Sequence, residues 1–182
     1  MDFIDRVKED SSLLATKEFG VWFVANCDLI DQLSEAYSIA KGDKPELRLK
    51  TAQLKRLAAR GFVIRFLIER FPFSLTKKQE NVVFNSALLY NNIELAEWMY
   101  ESNLSGGSFN LSAALQNGRC SLDTVKKAYN LFPYEPVLQA GLVRKACRNK
   151  QHDKVEWIYR HGITEDAGCE ACTVIRDLVK KP

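Results

Sequence analysis

The sequence predicts an all-α protein, a short solenoid of about five stacked helix-turn-helix units forming one domain over residues 1–182. Three observations carry that expectation. One phrase is written twice: "IELAEWMYE" at residues 93–101 returns as "HDKVEWIYR" at 152–160, with Glu, Trp, a bulky aliphatic residue and Tyr in the same order. Apolar residues recur at three- and four-residue spacing in "SSLLATKEFGVWFVANCDLIDQLSEAYSIA" and "VVFNSALLYNNIELAEWMYESN", the period of an amphipathic helix. Alternating apolar–polar runs with β-turn dipeptides are absent. The breakers Gly42 with Pro45, Pro72, Gly106-Gly107, Pro133 with Pro136, and Gly162 fall between the helical runs.

Each unit can be placed in order. The frame of Ile93–Tyr100 aligns with His152–Tyr159, and Leu122–Tyr129 fits between them. Upstream, Phe62–Ile68 fits more loosely, and "CDLIDQL" at Cys27–Leu33 can be placed ahead of it. The anchors 27, 62, 93, 122 and 152 are separated by 35, 31, 29 and 30 residues. That period marks a solenoid of helical pairs. A short run with a small residue precedes the later anchors: "NSALLYNN" (85–92), "LSAALQNG" (111–118) and "LVRKACRN" (142–149). These are the expected inner helices, with Ala87, Ala114 and Ala146 allowing close approach of neighbours. Trp98 and Trp157 then become repeat-core positions. One pair cannot bury its apolar face alone, and stacking does so. Residues 1–45 fit the period worst and are expected to form N-terminal capping helices or a degenerate repeat. Residues 46–163 hold the helical-pair repeats, and residues 164–182, with the amphipathic "CTVIRDLVKKP", are expected to form a C-terminal capping helix.

The segments "ALLYNNIELAEWMYESNL", "AALQNGRCSLDTVKKAYNLF" and "ACRNKQHDKVEWIYRHGI" resemble the helix-turn-helix part of the ankyrin repeat family in a divergent form. A small residue, an Asn or Gly turn, an acidic residue and a Trp–aliphatic pair recur in that order. The resemblance covers residues 50–163 and reaches back toward residue 20. It implies protein–protein recognition through a concave face and inter-repeat loops, without catalysis or cofactor. Divergent repeats of this kind also suggest a host-directed role, such as an inhibitor acting in host cytoplasm or nucleus. The chain departs from the family in lacking Thr-Pro-Leu-His in every unit and any long β-hairpin loop. The third unit carries two extra residues in "NGRCSL". Another α-solenoid of similar pairs therefore stays open.

Composition excludes several classes. Apolar residues at 46% and charged residues at 27% are ordinary for a soluble folded chain. No segment is long and apolar enough to span a bilayer, and the polar start "MDFIDRVKED" is no signal peptide. Five cysteines without an export signal are read as reduced thiols in a cytoplasmic protein. Cys169 and Cys172 form a Cys-x-x-Cys, but a zinc site needs a second pair at suitable spacing, so two thiols and no metal are expected. "SGGS" at 105–108 lacks the Lys-Ser/Thr of a phosphate loop and is read as an inter-repeat loop. His152 and the "HG" at 161–162 fit helix ends, and Glu97 and Glu156 are equivalent repeat positions rather than a facing acid–base pair. No catalytic residue and no enzyme activity are expected.

The remaining candidates are basic and aromatic. "ELRLKTAQLKRLAARG" holds Arg48, Lys50, Lys55, Arg56 and Arg60, with Arg56 and Arg60 at helical four-residue spacing. "LVRKACRNKQHDK" holds Arg144, Lys145, Arg148 and Lys150, with Arg144 and Arg148 again four apart. On inner helices, such faces would attract an acidic protein or, alternatively, a phosphate backbone. The other reading is two solvated helix faces. Phe71 and Phe73 flank Pro72; they either pack a loop onto the next unit or anchor a partner. The partner-binding candidates are thus Arg56, Arg60, Phe73, Tyr90, Arg144 and Arg148.

Overall fold

The structure, a computed structural model, describes residues 2–40, 46–60, 63–134 and 142–161, together with residues 177 and 179. It is all-α. The described residues form eleven α-helices and no strand. Two compact units divide the chain. The first is Met1–Ala87 with Glu94–Gly106, and the second is Leu88–Ile93 with Gly107–Pro182.

The first unit opens with three helices, α1 (Phe3–Glu9), α2 (Lys17–Ala25) and α3 (Ile30–Ile39), where a helical pair was expected. Short 3₁₀ segments at Ser11–Ala15 and Cys27–Leu29 join them, so the Cys27 frame begins as a 3₁₀ turn. Asp2 and Thr16 cap α1 and α2 by accepting the amides of Phe3 and Phe19. The α1 helix packs on α3. Phe3 lies over Trp22, with ring centroids 4.7 Å apart, and Phe19 over Phe23 at 5.3 Å, closing an aromatic core. Next come α4 (Thr51–Leu57), α5 (Val63–Arg70), α6 (Lys77–Leu89) and α7 (Ile93–Glu101). The α6 helix begins well before the expected residue 85. Gly106 closes the unit with φ of 66°, and a Cβ there would sit 2.5 Å from the Asn81 nitrogen and the Lys77 oxygen, so only glycine fits.

The second unit holds α8 (Leu111–Gln116), α9 (Leu122–Leu131), α10 (Leu142–Arg148) and α11 (His152–Arg160). The α8 helix packs on both α9 and α10, and α10 packs on α11. Ala114 and Ala146 are fully buried on α8 and α10, matching the expected close approach of those helices.

The repeated phrase has a physical counterpart. The third, fourth and seventh positions of the frame are buried in all three later outer helices. They are Leu95, Ala96 and Met99 in α7; Thr124, Val125 and Ala128 in α9; Lys154, Val155 and Ile158 in α11. Trp157 is buried as expected. Trp98 is half-buried, and the Arg65 guanidinium lies 5.6 Å from its ring centroid. The inner–outer turns repeat too. Asn91 and Lys150 occupy the same frame position and share a left-handed backbone, with φ of 62° and 57°. The α8–α9 turn, residues 117–121, is two residues longer than the α10–α11 turn, residues 149–151, as the sequence predicts.

The proline loops are built alike in each unit. The Leu47 amide donates to the Pro72 carbonyl at 3.0 Å, and the Phe109 amide to the Pro133 carbonyl at 2.8 Å. The aromatic residue before each proline, Phe71 or Phe132, is buried. The Gly42/Pro45 and Pro136 breakers, Gly162, Cys169, Cys172 and most of the expected C-terminal helix lie outside the described residues.

Candidate functional site

The notable surface of the second unit lies around α10. Arg144 and Arg148 are both in this helix, exposed and one turn apart, so they share a face as predicted. Lys145 stands beside them and lines a groove of about 370 Å³ with Leu89, Ala113, Gln116, Asn117 and Gly118. None of these lining residues is acidic. Among the described residues, Lys145 and Arg148 have no ion-pair partner. Tyr90, in the α6–α7 turn, is 38% exposed and remains available for contact.

The groove rests on a polar lattice that sequence reasoning did not find. Asn149 donates to the Gln116 carbonyl at 3.0 Å, and Gln151 to the Asn117 carbonyl at 3.0 Å. Lys154 is 1% exposed, and its ammonium donates to the Ala114 and Asn117 carbonyls at 3.0 and 2.7 Å. These carbonyls close the C-terminal end of α8, where a cation is favoured. Burial lowers the Lys154 pKa, while Cys120 and Asp153 push it back up. Cys120 is buried, its thiol donates to the Leu88 carbonyl at 3.3 Å, and desolvation raises its pKa to about 11. Asn91 spans to the start of α9: it donates to the Arg119 carbonyl at 2.7 Å and accepts from the Ser121 amide and the Thr124 hydroxyl at 2.7 and 3.0 Å. One signal was available in the sequence. Lys154 occupies the frame position that Leu95 holds in α7, so a charge there predicts a buried, partnered ammonium.

Three expectations are corrected. Phe73 is 8% exposed and therefore no exposed anchor. Its loop is tied to the 46–49 segment by the Leu47–Pro72 bond and by Ser74 donating to Glu46 at 2.6 Å, which turns the ring inward. Arg56 and Arg60 do not share a helix face, because α4 ends at Leu57. Arg56 is exposed on that helix, while Arg60 lies in the turn beyond and its guanidinium donates to the buried Cys27 sulfur at 3.0 Å. Both belong to the first unit, Arg144 and Arg148 to the second. The cysteines are not all reduced: Cys27 and Cys120 are free, but Cys147 is disulfide-bonded to a partner outside the described residues. No helix among the described residues is long and apolar enough to cross a membrane.

An aromatic cluster sits at the far ends of α9 and α11. Trp157 stacks on His161 at 4.0 Å, Tyr129 meets both edge-on, and Tyr134 stacks on Tyr129 at 4.6 Å. The His161 Nδ1 is 2.8 Å from the Trp157 carbonyl, which fixes the ring at the helix end.

No protein-family model matches the chain, and no curated protein or solved structure matches it.

Proposed function

We propose that the chain is a non-enzymatic interaction module, an ankyrin-like or related helical-pair solenoid that binds an acidic segment of another protein, and that in doing so it inhibits or sequesters that protein. The observation that carries this proposal is the α10 surface: Lys145 lines a groove whose lining has no carboxylate, Arg148 is exposed on the same helix, and neither has an ion-pair partner among the described residues. The three outer helices that bury the same frame positions support the repeat architecture, and scaffolds of that kind present preformed binding surfaces. Positive charge on a rigid helix steers an acidic partner and sets orientation more than it adds affinity. Tyr90 supplies an aromatic contact of the sort enriched at interfaces.

The test compares the wild-type chain with Arg144→Glu/Lys145→Glu/Arg148→Glu in pull-downs from cytosol, with and without nuclease, read by mass spectrometry. One dominant protein that survives nuclease, binds the purified chain directly and is lost by the triple variant is the expected result. Equal recovery by the variant removes the α10 surface from the proposal. Recovery abolished by nuclease replaces the protein partner with nucleic acid, which a basic helix face also attracts.

A further inference from the structure

The first unit holds a second basic feature, distinct from the α10 surface. Lys17, Arg48 and Lys50 all line one cavity of about 400 Å³ at the start of α2. None of the residues lining it is acidic. Among the described residues, none of the three cations has an ion-pair partner. The nearby Glu18 is taken by Arg6 at 2.6 Å and does not line the cavity. Three cations lining one concavity that has no carboxylate favour an anion there.

The cavity is shaped as well as charged. Gly20 forms part of its wall, and a Cβ there would come within 2.4 Å of the Gln53 amide nitrogen. The Gln53 amide packs against Gly20 in this wall. Its oxygen accepts from the Lys50 amide at 2.7 Å, while its nitrogen has no hydrogen-bond partner among the described residues. A fixed donor thus joins the three cations. Val21 and Leu49 supply apolar wall beside them, and Val21 is 70% exposed. The volume falls within the range of small-molecule sites, about 300–1,000 Å³, and is well above what a bare phosphate needs.

We infer that this cavity binds a soluble phosphate monoester of sugar-phosphate size, with the phosphate held by Lys17, Arg48, Lys50 and Gln53 and the organic part against Val21 and Leu49. A carboxylate ligand would satisfy fewer donors, because a phosphate dianion offers three acceptor oxygens to this set of four.

Calorimetric titration of the full chain with ribose 5-phosphate as probe tests this. One-to-one binding with Kd below about 1 mM is expected, and it should weaken at least tenfold in Lys17→Ala/Lys50→Ala, roughly 1.4 kcal/mol. Lys126→Ala/Lys127→Ala, exposed on α9, removes the same charge elsewhere and should leave affinity unchanged. Val21→Glu, at a position already in water, brings a carboxylate to the cavity and should abolish binding without loss of thermal stability. Absence of saturable binding overturns the inference, as does equal weakening by both lysine pairs. Binding of phosphatidic acid vesicles without binding of ribose 5-phosphate overturns it too, by placing the ester on a lipid headgroup.

Discussion

Replacing Lys154 with alanine should unfold this protein far more readily than a surface lysine would. The side chain is 1% exposed, and its ammonium holds two carbonyls at the end of α8. Truncation removes three methylenes from the core, about 0.8 kcal/mol each. It also removes two charge-assisted hydrogen bonds, each worth roughly 1.5–3 kcal/mol. Against that, the variant no longer desolvates an ammonium, the effect that lowers the Lys154 pKa. The carbonyls are not orphaned either, since Ala114 still accepts from the Asn117 amide and Asn117 from Gln151. The balance is a loss of about 4 kcal/mol for Lys154→Ala. Lys154→Met restores the stem and should lose only about 1–2 kcal/mol. Urea melts followed by circular dichroism measure both. The sign with pH follows from the depressed pKa. The stability tied to Lys154 is present above the unfolded value near 10.5 and is lost as pH falls through the folded value, so wild type should gain on Lys154→Met as pH rises toward 10.5. A loss below about 0.5 kcal/mol for the alanine variant, the size of an ordinary surface change, would refute the burial of Lys154 and the frame argument with it.

Other outcomes follow from the same lattice and from the corrected loop. Asn91→Ala should cost about 3 kcal/mol, because it removes three hydrogen bonds and forces alanine into a left-handed turn; Asn91→Gly should recover only the backbone share, about 1 kcal/mol, in parallel urea melts. Cys120, with its thiol pushed up to about 11 from 9.0, should hold roughly a hundredfold less thiolate at pH 8 than an ordinary cysteine and react with thiol reagents only through unfolding. The stability tied to that protonated thiol is fully present below pH 9 and is lost as pH rises through 11, which a pH series of Cys120→Ser against wild type reads directly. Phe73→Ala should destabilise by about 3 kcal/mol while leaving partner affinity per folded molecule unchanged, since the ring is core and not surface.

The all-helical class and the positions of the later helices were legible in the sequence, because apolar spacing at three and four residues is a local property. The doubled phrase marks which positions of α7, α9 and α11 are buried, and the two extra residues of the α8–α9 turn can be counted along the chain itself. Three things required the tertiary structure. Whether Phe73 faces water or core depends on a backbone bond between Leu47 and Pro72, residues far apart in the chain. Whether Arg56 and Arg60 share a face depends on where α4 stops, and no glycine or proline between them marks that end. Whether Lys17 stands beside Arg48 and Lys50 depends on α2 packing against α4, which no local pattern encodes. Local periodicity is written in neighbouring residues. Charge convergence and the burial of single polar groups arise only when distant segments meet, and there the sequence determined the parts while the packing decided the sites.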